Sequence, residues 1–291
     1  MSLSEIAPRF PVGARYMLVS ALGFALMAAC VKLVSLQGIP LLEIVAARSL
    51  VSLVISYADA RRKGLSPWGT HRTLLLARGA IGAFALVCVY YAVTTLPLAE
   101  ATLLQYMHPA FTALLGLLLL KEGIQLSTLI CIVLSIAGLI VMVEPRAFTD
   151  ASPALPWFNV SIALAGAFGS AIAYVLVRRL SQHEDASVII FYFPLVALPL
   201  SVSLLGDQFV TPSTESLVLL LLVGIFTQIG QLGLTHAMRW ETAGKAAAYS
   251  YVQVIFAVAL GWAVFAEVPS LWTWLGGALI VSGALLNLVR R

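Results

Sequence analysis

The chain alternates between long apolar runs and short polar breaks along its whole length. A bilayer core about 30 Å thick needs about 20 apolar residues in a helix that crosses it. About ten runs approach this length, and glycine and proline mark the breaks between them. The predicted spans are 14–36, 40–58, 73–95, 98–120, 125–144, 157–180, 186–206, 214–238, 242–265 and 270–289. The pattern therefore predicts an all-α membrane protein with about ten transmembrane helices.

Composition supports a lipid environment and argues against two other classes of protein. Of the 291 residues, 61% are hydrophobic and 10% are charged, whereas a soluble domain has about a quarter of its residues charged. The formal charge of +4 comes from basic residues scattered over short loops, which is typical of membrane orientation signals and not of nucleic-acid binding. Cys30, Cys88 and Cys131 lack metal-ligand or disulfide spacing, so we expect no bound metal and no cofactor.

The distribution of lysine and arginine predicts the orientation of the helices. With the N-terminus in the cytoplasm, most of the 17 basic residues fall at cytoplasmic ends of the spans. The outer loops contain Arg146 and the acidic residues Glu144, Asp150, Asp207, Glu215 and Glu267. This asymmetry is expected for ten spans with both termini in the cytoplasm.

An internal repeat divides the chain into two halves. A shift of 145 residues aligns Ala92 with Ala237, Tyr106 with Tyr251, Phe111 with Phe256, Gly116 with Gly261, Glu122 with Glu267, Thr128 with Thr273 and Gly138 with Gly283. Near the start of each half, a shift of 146 aligns Lys32 with Arg178. Chance similarity between apolar helices would share Leu, Ala and Gly, but not Glu, Tyr and Thr. We therefore predict two five-helix repeats, residues 1–146 and 147–291.

The odd number of spans in each repeat predicts that the second copy enters the membrane upside down. The flanking charges agree with this inversion. The turn at residues 94–100 contains no Lys or Arg, whereas its counterpart at 239–245 contains Arg239 and Lys245. Inverted repeats place a binding site near the membrane midplane and permit alternating access to it.

A family resemblance is carried by residues 96–143 and by their repeat. A helix of small residues with a central proline and a terminal glutamate is followed by a last helix that contains glycine. The positions are Pro109, Glu122 and Gly138 in the first copy and Glu267 and Gly283 in the second. This arrangement resembles the EamA type of the drug/metabolite transporter (DMT) superfamily, although Val254 replaces the proline in the second copy. Arg48 stands where members often have an arginine in the second span.

The resemblance implies a secondary transporter and leaves its substrate open. Members of the superfamily carry amino acids, nucleotide-linked sugars, sugar phosphates, nucleosides and drugs. Bacterial exporters of aromatic or other amino acids are similar in length and layout, so the resemblance implies amino-acid export across a bacterial inner membrane. Export or exchange of drugs, nucleosides or nucleotide-linked metabolites is the alternative within the superfamily.

Polar side chains inside the spans predict a substrate site. Such residues are costly in hydrocarbon and face the interior of a helix bundle or a wet cavity. Many lie on the third, fourth, eighth and ninth spans, which the repeat relates. The candidate substrate-binding residues are Arg48, Tyr90, Tyr91, Gln105, His108, Tyr174, Gln228, Gln231, Tyr249 and Gln253. Each one alone also fits a role in helix packing through interhelical hydrogen bonds, whereas the set is typical of a cavity lining.

The candidate lining favours an amphipathic solute, such as an amino acid with an apolar side chain, over a highly charged one. Arg48 is a candidate partner for a substrate carboxylate. No Asp or Glu lies deep in a span, which argues against proton coupling through a buried carboxylate. Facilitated export and exchange both fit, and His108 is either a satisfied core histidine or a proton site.

Other classes of function fit the sequence less well. An intramembrane enzyme needs acid–base or metal-binding residues, and the chain has no His-x-x-x-Asp motif or Asp-rich pair. A structural or signalling protein would not need repeat-related polar positions. No P-loop is present, which excludes ATP-driven transport by this chain alone. The expected partners are a small-molecule substrate and the lipid bilayer, with no nucleic acid, and the chain is expected to be a monomer or a weak homo-oligomer.

Overall fold

A computed structural model describes residues 11–95, 104–123, 125–143, 156–266 and 271–289. Within these residues the chain forms eleven α-helices. They are α1 Val12–Leu36, α2 Leu41–Arg62, α3 Arg72–Thr95, α4 His108–Leu120, α5 Leu126–Val143, α6 Trp157–Leu180, α7 Ala186–Leu205, α8 Thr214–Trp240, α9 Ala243–Tyr249, α10 Val252–Phe265 and α11 Leu271–Val289. Helices satisfy their own backbone hydrogen bonds, which lipid cannot do for them.

The predicted all-α membrane fold is confirmed. In the described residues, seven helical segments are long and apolar enough to cross a membrane, with α9 and α10 counting together as one segment. Three shorter apolar helices, at His108–Leu120, Leu126–Val141 and Trp274–Gly283, complete the ten predicted spans. Proline precedes the first residue of α1, α2 and α6, whereas the side chains of Asp185 and Ser213 cap α7 and α8.

The fourth and ninth predicted spans are not continuous helices, which corrects the sequence prediction. The fourth is interrupted by a turn at Tyr106–Met107, and the ninth by a turn at Ser250–Tyr251. In the first copy Pro109 has no N–H to donate to the carbonyl of Gln105, which breaks the helical pattern there. The second copy has no proline at this position and instead makes tighter bonds between residues three apart, such as Ser250 N–H to the Ala247 carbonyl.

Helix pairing reveals the symmetry between the repeats. The repeat relates α1 to α6 and α3 to α8. Helix α1 packs against α8, and in the same way α6 packs against α3. Helix α2 packs against its own counterpart α7, and α5 packs against its counterpart α11. A pseudo-two-fold axis in the membrane plane generates this pattern from two copies of opposite orientation. The predicted boundary between residues 146 and 147 lies outside the described residues and stays a prediction.

Close contacts at small residues show the same symmetry. A Cβ added at Gly138 in α5 would lie 2.5 Å from the Gly276 carbonyl oxygen in α11. In the reverse direction, a Cβ at Gly283 would lie 3.1 Å from the Cys131 carbonyl oxygen. Small residues therefore let these two helices approach closely, as is common between helices in lipid. The C-caps repeat as well, because Lys121 and Ala266 both adopt left-handed backbone conformations with φ of 55° and 53°.

Polar residues that follow α1 and α6 accept hydrogen bonds at equivalent places in the two repeats. Glu184 accepts hydrogen bonds from the N–H groups of Thr70 and His71 at 2.8 and 2.7 Å, next to the start of α3. Partial burial raises the pKa of the Glu184 carboxyl, but the hydrogen bonds from Thr70 and His71 outweigh it and hold the pKa below its ordinary value. In the other repeat, Gln37 accepts a hydrogen bond from the Ser216 hydroxyl near the start of α8.

Candidate functional site

A polar cavity of about 270 Å³ lies between the two repeats. Helices α1, α2, α3 and α4 line it from the first copy, and helices α6, α7, α8 and α10 line it from the second. The polar lining residues are Arg48, Arg78, Gln105, Tyr106, His108, Ser170, Tyr174, Gln231, Ser250 and Gln253. Apolar residues, including Phe24, Met27 and Phe193, form the rest of the wall. Such a mixture fits a small solute with both polar and apolar parts.

Two arginines provide the positive charge of the cavity. Arg48 in α2 and Arg78 in α3 are only 7% and 3% exposed. Their guanidinium carbons lie over the ring of Phe193 in α7, at 5.5 and 5.3 Å from its centroid. Gly82 makes room for this arrangement, because a Cβ added there would lie 3.0 Å from the Phe193 ring. Two cations therefore share one aromatic ring in the middle of the bundle.

Neither arginine forms a salt bridge within the described residues. Arg78 donates one hydrogen bond to the Gln231 side-chain oxygen at 2.9 Å, and Arg48 contacts the sulfur of Met27 at 3.8 Å. Among the described residues, the Nε of Arg48 and the Nε and Nη1 of Arg78 are buried without a hydrogen-bond partner. Glu43, the acidic residue nearest to Arg48 in sequence, instead accepts a hydrogen bond from the Val210 N–H.

His108 occupies the start of α4, where the helix is interrupted. Its Nδ1 lies 3.1 Å from the Gln105 carbonyl oxygen, and a carbonyl oxygen can only accept, so Nδ1 bears the proton. In the neutral ring Nε2 is then a hydrogen-bond acceptor, and this atom is buried without a partner in the described part of the chain. The ring packs edge-on against Tyr174, with centroids 5.1 Å apart. The helix break thus presents an acceptor at the cavity wall.

The structure brings six of the ten predicted site residues together. Those that line the cavity are Arg48, Gln105, His108, Tyr174, Gln231 and Gln253. Gln228 instead links α8 to α2, accepting from the Ser52 hydroxyl at 2.6 Å and donating to Ser56 at 2.9 Å. Tyr249 is buried away from the cavity lining. The Tyr90 side chain lies outside the described residues.

Tyr91 lines a different cavity, whose lining is mainly apolar. This second cavity has a volume of about 400 Å³ and lies between α2, α3 and α7. Leu86 lines both cavities and so stands between them. The apolar lining and the exposed leucines of these helices are typical of a surface that contacts lipid.

Sequence reasoning missed Arg78, Tyr106 and Phe193 as cavity residues. Arg78 lies about two turns inside α3, and an arginine at that depth is itself a signal of a buried polar site. Tyr106 carried a signal too, because the repeat aligns it with Tyr251. No local pattern distinguishes Phe193 from the other aromatic residues of α7.

A network of hydrogen bonds centred on Glu122 joins helices of both repeats at one end of the bundle. Glu122 follows α4 and accepts hydrogen bonds from Arg178 Nε and from the Ala243 N–H, both at 2.7 Å. Arg178 also donates to the carbonyl oxygens of Met238 and Arg239 at 2.8 and 3.1 Å. The Glu122 network therefore ties the ends of α4, α6 and α8 to the start of α9, on the side predicted to be cytoplasmic.

Comparisons with known proteins give a consistent result. The EamA-like transporter family matches residues 11–144 and again residues 157–289. The pseudopaline exporter CntI of Pseudomonas aeruginosa is 34% identical over 89% of this chain and 89% of its own length. Solute carrier family 35 member G1 of Mus musculus is 31% identical over 94% of this chain and 77% of its own length. A solved crystal structure that is 19% identical superposes with a TM-score of 0.77 over 92% of this chain and 95% of that one.

Proposed function

The chain belongs to the EamA-like transporter family, and we propose that it exports small amphipathic metabolites of the amino-acid type across the bacterial inner membrane. The observation that carries this proposal is the cavity between the repeats, which combines buried guanidinium groups, a histidine acceptor and aromatic rings. The matching family is named for transport, the mouse relative is named a solute carrier, and the two Pseudomonas aeruginosa relatives are named as exporters. We propose that the termini are cytoplasmic, as the basic residues predict.

The lining residues suit the three parts of an amino acid. The guanidinium of Arg48 can bind the carboxylate through parallel hydrogen bonds. His108 Nε2 can accept a hydrogen bond from the ammonium group, because Nδ1 already donates to the Gln105 carbonyl. The rings of Phe24, Tyr174 and Phe193 can contact an apolar side chain. Gln105 and Gln253 add neutral hydrogen-bonding groups on the repeat-related helices.

We propose that the Glu122 network is broken in the conformation open to the cytoplasm. It joins helices of both repeats at the side predicted to be cytoplasmic, so movement of one repeat against the other must change it. No Asp or Glu lines the cavity within the described residues. We therefore favour facilitated export or exchange over proton coupling through a cavity carboxylate.

Flux through purified protein in liposomes tests the proposal. We expect saturable uptake and counterflow of at least one radiolabelled amino acid from a panel that includes the aromatic ones. Empty liposomes are the control for leakage, and each preparation is checked for correctly folded protein by size-exclusion chromatography. A panel in which no amino acid moves faster than through empty liposomes would overturn the amino-acid assignment and would favour drugs, nucleosides or nucleotide-linked metabolites.

A further inference from the structure

We propose that Arg48 and Arg78 act together to select anionic substrates that contain a second carboxylate. This inference rests on the proposed function and narrows its substrate class from amino acids in general to those with a net negative charge. It depends on Arg78, which adds a second buried cation beside the one at Arg48. One guanidinium is sufficient for the carboxylate common to all amino acids, so the second requires a further reason.

Burial of the two charges destabilises the protein when no anion is bound. An arginine side chain remains charged in proteins because its pKa is far above neutral. Arg48 and Arg78 are 7% and 3% exposed and lie over the same phenylalanine ring. Charges held close together in a medium of low dielectric repel each other strongly. An unpaired buried charge is expensive, so these two side chains need a compensating anion.

Arg178 shows how a structural arginine is satisfied in the same protein. Its guanidinium donates to a carboxylate oxygen of Glu122 and to the carbonyl oxygens of Met238 and Arg239. By contrast, the described part of the chain gives Arg78 one side-chain acceptor, the amide oxygen of Gln231, and gives Arg48 only the thioether sulfur of Met27. Their remaining buried N–H groups include Nε of each and Nη1 of Arg78, all without an acceptor in the described residues. Unlike Arg178, this pair therefore retains donors for a ligand.

The surroundings favour a carboxylate-containing metabolite over an inorganic anion. The aromatic rings of Tyr106, Tyr174 and Phe193 and the side chains of Phe24 and Met27 also line the cavity. A small inorganic anion would leave this apolar surface uncovered in a cavity of about 270 Å³. Planar guanidinium groups match planar carboxylates through paired hydrogen bonds. A dicarboxylate with an amino group and a short apolar body uses all of these features.

Two matched pairs of compounds test the selection by charge. L-glutamate and L-glutamine differ only in a carboxylate that becomes a neutral amide, and so do 4-carboxy-L-phenylalanine and 4-carbamoyl-L-phenylalanine. We expect the purified full-length protein to bind at least one of the acids about tenfold or more tightly than its amide. Binding is read from the ligand-dependent shift in melting temperature over a concentration series.

Arginine variants link the preference to the two side chains. Arg78→Gln should remove most of the preference for the acid while leaving the weaker binding of the amide. Arg48→Gln should also remove most of this preference, but it should weaken binding of the amide as well, because Arg48 binds the carboxylate that acid and amide share. Arg62→Gln is the matched control, because Arg62 is an exposed arginine at the end of the same helix as Arg48. Equal binding of acid and amide by the unaltered protein, or a preference that survives both variants, would overturn the inference.

Gln231→Glu provides a second test that does not remove an arginine. This variant places a carboxylate where the Gln231 oxygen already accepts from Arg78, so it should neutralise Arg78 and abolish the preference for the acid. An unchanged preference in this variant contradicts the inference even if Arg78→Gln does not fold. Flux of neutral amino acids with no preference for the acids would leave the proposed function intact and remove this inference. Acid-selective binding without any flux would support the selection by charge and contradict the proposed export.

Discussion

The hydroxyl of Tyr251 donates a hydrogen bond to the Tyr106 carbonyl oxygen at 3.2 Å, and the two rings stack with their centroids 6.0 Å apart. The two residues are 145 positions apart, which is the shift that aligns the two repeats. They are therefore equivalent residues of the two copies. Equivalent residues touch where the axis that relates the copies passes between them. The pseudo-two-fold axis therefore passes beside the cavity, between the two interrupted helices.

Replacing Tyr251 tests the importance of this contact. Tyr251→Phe keeps the stacked ring but removes the hydroxyl, so we expect a loss of about 0.5–1.5 kcal/mol in the free energy of unfolding. Tyr249→Phe is the matched control, because the Tyr249 hydroxyl is buried without a partner in the described residues and its removal should be neutral or stabilising. Thermal unfolding in detergent measures both. Equal melting temperatures for the two variants would show that the contact adds no stability.

Glu122 is expected to stabilise the junction of α4, α6 and α9. Glu122→Gln keeps the shape of the side chain but places an amide donor opposite Arg178 or the Ala243 N–H. Leaving one of these donors unsatisfied should cost about 1–3 kcal/mol. Faster hydrogen–deuterium exchange at residues 243–249 and a lower melting temperature are the measured outcomes. Arg179→Gln, an exposed neighbour of Arg178, should change neither measurement, and a similar effect of both variants would contradict the prediction.

Gln228 is expected to stabilise helix packing, whereas Gln253 is expected to bind substrate. Gln228→Leu removes the hydrogen bonds to Ser52 and Ser56 and should lower stability by about 0.6–2 kcal/mol without changing substrate affinity. Gln253→Leu alters the cavity wall and should weaken substrate binding while stability stays within about 0.5 kcal/mol. Melting temperature and the half-saturation concentration of flux are measured for each. Loss of affinity in Gln228→Leu but not in Gln253→Leu would contradict this division of roles.

The contact between α5 and α11 should be sensitive to one methyl group added at Gly138. Gly138→Ala places a Cβ 2.5 Å from the Gly276 carbonyl oxygen, and this overlap should destabilise the protein by about 1–3 kcal/mol. Gly277→Ala is the matched control in α11, since a Cβ there meets nothing within 4 Å. The control should be neutral or stabilising by about 0.5–1 kcal/mol, because glycine weakens a helix. Thermal unfolding distinguishes the two, and a stable Gly138→Ala variant would show that the helices can separate there.

The amino-acid sequence by itself determined the helical spans, the repeat and its inversion. A membrane helix needs a long apolar run whose backbone bonds are all internal, so its presence can be predicted from local composition. The repeat is a property of aligned residues such as Tyr106 and Tyr251, and an odd number of spans inverts the second copy. Six residues of the cavity lining could be predicted because polar groups in a span face inward, whereas their role in substrate binding stays a prediction.

Only the tertiary structure decided which inward face meets which neighbour. Gln228 and Gln231 are three residues apart and close on one side of α8, yet Gln228 bonds to Ser52 whereas Gln231 accepts from Arg78. The rotation of a helix is set by close packing against its neighbours, as between Gly23 in α1 and Gly230 in α8. Likewise, Arg78 lines the cavity because α3 packs against α7, where its guanidinium lies over the Phe193 ring. The charge of the cavity therefore depends on contacts between residues distant in the chain, which local patterns do not contain.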